Sequence, residues 1–166
     1  MDYATNGPSR AHEQVYNQLV NPFGTEAMAA GYAASRPPLH RRIIARASVA
    51  LGSPRRALDI GCGAGLSTRA LEGLASHCVG LEPAEAMLRW TRGIAPQANF
   101  VLGRAEALPF AGRSFDLLTA AGSLNYVAGL DLFFGEAARV LDPRGRLLVY
   151  DFRKGRSFPH SEALAA

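Results

Sequence analysis

The sequence predicts an α/β fold built around a mostly parallel sheet of about five strands. Two observations lead to this prediction. Short apolar runs alternate with helical stretches after Pro54, and such alternation is typical of right-handed βαβ crossovers. The first apolar run also leads directly into a glycine-rich turn and then a helix. The 166 residues, 48% of them hydrophobic and 19% charged, suit about one globular domain and exclude a disordered chain.

A helix is predicted before the alternating region. Residues 39–51, LHRRIIARASVAL, place four apolar residues on one helical face: Leu39, Ile43, Ala47 and Ala50. The sequence Gly52-Ser53-Pro54 then ends the helix, because glycine and proline interrupt helical backbone.

The strands and helices after Pro54 follow from the apolar pattern. The predicted strands are residues 57–60, 77–82, 99–103, 114–121 and 146–152. The predicted helices between them are residues 66–75, 84–92 and 131–141. The last helix is separated from the last strand by a turn signal, Asp142-Pro143-Arg144-Gly145.

The segment LDIGCGAG, residues 58–65, is the most specific motif. A buried strand carrying Asp59 ends in a loop with glycines at positions 61, 63 and 65. Glycines there let the backbone approach a ligand closely and adopt positive φ. A dinucleotide-binding fingerprint would have its third glycine at position 66, where Leu66 stands. The alternative interpretation is an ordinary tight turn between strand and helix.

Two further acids follow predicted strands. Glu82 ends the second strand, 17 residues after Gly65, where an acid can accept hydrogen bonds from a ribose diol. Met87 follows five residues later and either packs on a purine face or belongs to the core. In GRAEALPF, residues 103–110, Glu106 and nearby backbone amides either read the edge of an adenine or form a solvated loop.

The composition argues against several other functions. The 18 basic and 14 acidic residues give a net charge of +4, and the basic residues are scattered singly or in pairs, so nucleic-acid binding is not expected. Cys62 and Cys78 match no metal-ligand spacing, and the four histidines are dispersed. The sequence has no apolar run of membrane-spanning length, and its first ten residues, with an acid at position 2 and no apolar stretch, are not expected to form a signal peptide. We therefore expect a cytoplasmic protein that has no membrane partner.

Five blocks in this order and spacing resemble a class I S-adenosylmethionine-dependent methyltransferase of the small-molecule type. They are LDIGCGAG, GLEPAEAML, GRAEALPF, SFDLLTAAGSLNYV and EAARVLDPRGRLLVYDF, within residues 57–152. The resemblance implies a Rossmann-like three-layer sandwich with S-adenosylmethionine as cofactor and a small molecule as substrate. It also implies an N-terminal helical lid over residues 1–52 and a cofactor-binding domain over residues 53–166.

The resemblance assigns expected roles to individual residues. The loop with Gly61, Cys62, Gly63 and Gly65 lies along the methionine and ribose, and Asp59 helps to hold the amino group. Glu82 binds the ribose hydroxyls. The residues implied around the adenine and the rest of the cofactor are Pro83, Met87, Ala105, Glu106, Ala121 and Gly122. The residues implied on the substrate side are Tyr32, Arg36, Ser123, Asn125 and Tyr126. Arg104 stands where the family often has an aspartate.

The chain departs from the family pattern at its C-terminal end. Only 14 residues follow Phe152, too few for the helix and the last two strands of the family sheet. An apolar fifth strand would then be an uncovered edge. We expect either that the C-terminal part of the domain is missing from this sequence, or that a second copy, as a homodimer, or another protein covers this edge. The resemblance implies methyl transfer by alignment, with no evident general base. The alternatives are a nicotinamide-dependent oxidoreductase domain, or a non-catalytic domain that binds the cofactor or a protein.

Overall fold

The computed structural model describes residues 39–151. The helices are α1 (Leu39–Leu51), α2 (Leu66–Leu71), α3 (Glu85–Ile94) and α4 (Leu130–Val140). The strands are β1 (Arg56–Ile60), β2 (His77–Glu82), β3 (Asn99–Leu102), β4 (Phe115–Ala121) and β5 (Leu141–Tyr150). A short 3₁₀ helix spans Leu124–Tyr126. Tyr32, Arg36 and the rest of the lid before Leu39 lie outside the described residues.

The five strands form one parallel sheet in the order β3-β2-β1-β4-β5. This confirms the predicted α/β fold with its parallel sheet. The chain runs outward from β1 to β3 on one side and then returns to add β4 on the other side of β1. The strand order therefore reverses at β1, and the carboxyl ends of β1 and β4 flank the crevice in which such sheets bind ligands.

Helices cover both faces of the sheet, which gives the three layers. On one face, Leu118 of β4 belongs to a buried cluster with Phe133 and Val140 of α4. On the other, Leu117 belongs to a cluster with Ile44 of α1 and residues of α2. Successive residues of β4 serve opposite faces because strand side chains alternate. Since α1 packs into this second cluster, the described end of the predicted lid segment is part of the domain core.

Most predicted bounds differ from the observed ones by at most two residues, but two are wrong by four residues or more. Helix α2 ends at Leu71 rather than at residue 75, because Gly73 lies in a turn whose next two N–H groups both donate to Leu71 O. Strand β5 begins at Leu141 rather than at residue 146. The predicted turn at residues 142–145 is an irregularity inside the strand, since Leu141 pairs with Phe115 and Arg146 pairs with Leu117.

Strand β5 pairs only with β4 among the residues that the structure describes. Leu147 packs with the α4 side of the core and Leu148 with the α1 side, so β5 carries apolar groups on both faces, as interior strands of parallel sheets do. Pairing of two copies through this edge stays a prediction. No helix within residues 39–151 is long and apolar enough to cross a membrane.

Candidate cofactor site

The glycine loop begins where β1 ends and leads into α2. Gly61, Gly63 and Gly65 all have positive φ, at 63°, 56° and 98°. A Cβ added to Gly61 would lie 2.5 Å from Ser123 Cβ in the segment after β4. Ser123 is fixed there because its hydroxyl donates to Ile60 O at 2.6 Å. Glycine at position 61 is therefore required both by its φ and by the close approach of two loops.

Glu82 lies at the carboxyl end of β2 and holds the glycine loop. Its Oε2 accepts a hydrogen bond from Gly63 N at 3.0 Å, and its Oε1 accepts one from Ala84 N at 2.9 Å. Its side chain is 6% exposed, and burial raises its pKa although these two bonds oppose that effect. An ionised carboxylate can accept about four hydrogen bonds, so Glu82 has acceptor capacity left for a ligand.

Asp59, the other acid of the predicted site, lies inside the fold. Its side chain is fully buried and accepts hydrogen bonds from Ser67 Oγ at 2.5 Å, Thr68 Oγ1 at 2.7 Å and Thr119 Oγ1 at 2.8 Å. Burial raises the pKa of Asp59, and the three hydroxyl groups oppose that rise. Asp59 thus joins β1 to α2 and β4. Its predicted contact with the amino group of a cofactor stays a prediction.

Cys62 shapes the turn with its backbone and packs its thiol inward. Cys62 N donates to Leu81 O, and Cys62 O accepts from Gly65 N, both at 3.0 Å. Burial raises the pKa of the Cys62 thiol well above its usual value. A Cβ on Gly80 would lie 2.7 Å from both Cys62 Sγ and the Phe100 ring. Sequence reasoning missed Gly80, although a glycine inside a strand is itself a signal of close packing.

The residues predicted around the adenine are mostly packed inside the fold. Met87 is 2% exposed and belongs to a small cluster with Ala64 and Ala84, which fits the core alternative for this methionine. Ala105 is also buried. Pro83, at the start of the turn into α3, is exposed.

Glu106 connects the loop after β3 to the loop after β4. Its Oε1 accepts a hydrogen bond from Ala128 N at 2.9 Å and lies 3.4 Å from Arg104 Nη2. Burial alone would raise its pKa, but hydrogen bonds from backbone N–H groups and the charge of Arg104 lower it overall. Arg104 thus places a positive charge beside the Glu106 carboxylate. The predicted adenine contact of Glu106 stays a prediction.

A second clamp, which sequence reasoning missed, holds the same loop against α4. Glu136 Oε2 accepts from Leu108 N at 2.7 Å, while Arg139 donates to Leu108 O and Phe110 O. Glu136 and Arg139 also pair with each other at 2.7 Å, and this lowers the pKa of Glu136 to about 2. Their spacing of three residues on a helix was the available sequence signal.

The substrate side of the predicted site lies where β4 and β5 end. Ala121 is buried, Gly122 has a φ of 66°, and Tyr126 is 54% exposed in the 3₁₀ helix. Asn125 Nδ2 donates to Asp151 Oδ2 at 2.8 Å. Sequence reasoning did not single out Asp151, because only the pairing of β5 with β4 places it beside this segment. The residues described here contain no group of three or more side chains suited to a metal ion.

The chain belongs to the methyltransferase domain family. The family described as "Methyltransferase domain" matches residues 58–149, which is more than half of the chain and runs from β1 into β5. This confirms the resemblance to class I S-adenosylmethionine-dependent methyltransferases. The cofactor of this family is S-adenosylmethionine.

Individual relatives agree with the family assignment. Malonyl-(acyl-carrier protein) O-methyltransferase of Methylococcus capsulatus is 38% identical over 104 residues, which cover 60% of this chain and 38% of that protein. The ubiquinone/menaquinone biosynthesis C-methyltransferase UbiE of Methylobacterium nodulans is 36% identical over 135 residues, which cover 68% of this chain and 54% of that protein. The solved structure of the YcgJ protein of Bacillus subtilis matches with a TM-score of 0.62 and 28% identity, covering 66% of this chain and 50% of that one.

The chain thus spans between about two fifths and just over half of the length of these three proteins. Their names give no support to the nicotinamide-dependent alternative.

Proposed function

We propose that this chain binds S-adenosylmethionine at the carboxyl ends of its strands and transfers the methyl group to a small-molecule acceptor. The observation that carries the proposal is the position of Glu82. Its carboxylate anchors the glycine loop through Gly63 N and keeps acceptor capacity. A ribose diol offers two hydroxyl donors, which matches that capacity. Asp59 matches a diol less well, because it is fully buried and three hydroxyl groups already donate to it.

The loop of residues 61–65 lies along the methionine and ribose of the cofactor in this proposal. Ala105, Pro83 and the loop that Glu106 holds border the adenine. The close contact between Gly61 and Ser123 supports a continuous surface from the glycine loop to the segment after β4. Ala121, Gly122 and Ser123 would then form the wall beside the methyl group.

The bound cofactor supplies a methyl group on a positively charged sulfur, which is electrophilic without further activation. The chain's task is to align an acceptor with that methyl group at about 3 Å and to exclude water. The contacts described above serve this task, because Glu106 joins the loop after β3 to the loop after β4, and the Glu136–Arg139 pair holds the loop after β3 against α4. The relatives' names include O- and C-methyltransferases, and both fit catalysis by alignment.

Calorimetry with S-adenosylhomocysteine tests the proposal on the 166-residue chain. The unaltered chain should bind it. Glu82→Gln should weaken binding by about 1–3 kcal/mol, the scale for an unmade buried hydrogen bond. Glu85→Gln is the matched control, since Glu85 is exposed at the start of α3. Absence of heat and of any thermal shift at millimolar ligand would contradict the proposal, as would equal effects of the two variants.

We also propose a cytoplasmic location. The two thiols, at Cys62 and Cys78, are both buried and unpaired, which fits a reducing compartment. Fractionation of producing cells tests this, and recovery of the protein outside the cytoplasm would contradict it.

A further inference from the structure

A continuous set of contacts leads from the glycine loop to the end of β5. Gly61 meets Ser123, and the neighbouring Gly122 donates its N–H to Tyr150 O at 2.8 Å. This bond brings the first residue after β5 against the same loop. A Cβ added to Gly122 would lie 3.1 Å from Asp151 Oδ1. The Asp151 carboxylate therefore lies directly beside the segment that would form the wall at the methyl group.

Asn125 orients this carboxylate. Its side-chain Nδ2 donates to Asp151 Oδ2 at 2.8 Å, and the 3₁₀ helix that carries Asn125 follows Gly122 and Ser123 directly. The positive φ of Gly122, 66°, gives the backbone the bend that brings these groups together. Asp151 is itself exposed, so a molecule in the crevice can approach it.

We propose that Asp151 is the carboxylate on the acceptor side of the site and that Asn125 is its positioning residue. This inference rests on the proposed methyltransferase function and deepens it by naming a class of acceptor. A negative charge beside the methyl group repels an anionic acceptor atom. It favours an acceptor whose nucleophilic atom carries a proton, as an O–H or N–H group does, because a carboxylate accepts a hydrogen bond from that group.

The same carboxylate receives the proton that transfer releases. The lone pair of the acceptor atom forms the new bond to the methyl carbon, and the electron pair of the carbon–sulfur bond returns to sulfur. The proton of the O–H or N–H group passes to the Asp151 carboxylate, and from there to water. The products are the methylated acceptor, S-adenosylhomocysteine and one proton, and no oxidant or reductant is needed.

Binding of cofactor analogues tests this assignment without a known acceptor. Sinefungin carries an ammonium group where S-adenosylmethionine carries the methyl group, whereas S-adenosylhomocysteine carries neither. Asp151→Asn should weaken sinefungin binding about tenfold, the scale of one charge-assisted hydrogen bond. It should leave S-adenosylhomocysteine binding unchanged within about twofold. Asn125→Ala should change the ratio of the two dissociation constants in the same direction, by less.

Asp142→Asn is the control, because Asp142 lies near the start of β5, at the opposite end from Asp151, and accepts a hydrogen bond from Arg144 N at 3.0 Å. It should leave both affinities unchanged. An unchanged ratio in Asp151→Asn would overturn the assignment of Asp151 while leaving the proposed function in place. Equal weakening of both ligands would also overturn it, because Asp151 would then support the fold or the whole cofactor. Failure of the unaltered chain to bind S-adenosylhomocysteine would overturn both.

Discussion

Replacing Asp59 tests whether this residue stabilises the fold or contacts the cofactor. Asp59→Ala would leave the buried hydroxyl groups of Ser67, Thr68 and Thr119 without their common acceptor. An unsatisfied buried polar group costs about 1–3 kcal/mol. With the lower value for each of the three groups, we expect the free energy of unfolding to fall by about 3 kcal/mol.

Asp59→Asn should be much milder. Its carbonyl oxygen can still accept from Ser67 and Thr68, and its amide nitrogen can donate to Thr119 Oγ1, which also accepts hydrogen bonds. The substitution also removes a carboxylate whose burial is unfavourable, as the raised pKa of Asp59 indicates. We therefore expect a change in unfolding free energy of at most about 1 kcal/mol.

Urea denaturation followed by circular dichroism at pH 7 measures both effects, and calorimetry with S-adenosylhomocysteine measures binding. Asp131→Ala is the control, since Asp131 is exposed on α4, and it should cost less than about 1 kcal/mol. A loss below about 1 kcal/mol for Asp59→Ala would refute the hydrogen-bond argument. An Asp59→Asn variant of normal stability that binds tenfold more weakly would instead show that Asp59 contacts the cofactor.

Two further predictions concern the loops around the crevice. The pKa of Glu136 is about 2 in the folded chain against a usual 4.5, so its stabilising effect is complete above about pH 4.5 and is lost as the pH falls toward 2. Between pH 5 and pH 2, the melting temperature of the unaltered chain should fall more steeply than that of Glu136→Gln, and parallel curves would contradict this. Gly61→Ala should lower the melting temperature and abolish S-adenosylhomocysteine binding, because its Cβ would lie 2.5 Å from Ser123 Cβ. Adding Ser123→Gly should recover part of the stability, and a single Gly61→Ala variant that melts like the unaltered chain would contradict the close approach.

The order of elements could be predicted because its signals are local. Alternation of apolar runs with helical stretches reports the secondary structure of each segment directly. The glycines at positions 61, 63 and 65 have the positive φ values that the loop motif predicted. The predicted bounds were wrong where two local signals disagree. In α2 the apolar pattern continues to residue 75, but the helix ends at Leu71, two residues before Gly73.

The sequence alone determined that Asp59 and Glu82 lie at or near the ends of two successive strands and that the glycine loop lies between them in the chain. It could not show that three hydroxyl groups donate to Asp59 inside the fold, whereas Glu82 holds the glycine loop. The tertiary structure decided this, because Thr119 reaches Asp59 from 60 residues away through the pairing of β1 with β4. The placement of Asp151 beside Gly122 depends in the same way on the pairing of β5 with β4. Such contacts arise from packing of distant segments, and no local pattern in the sequence records them.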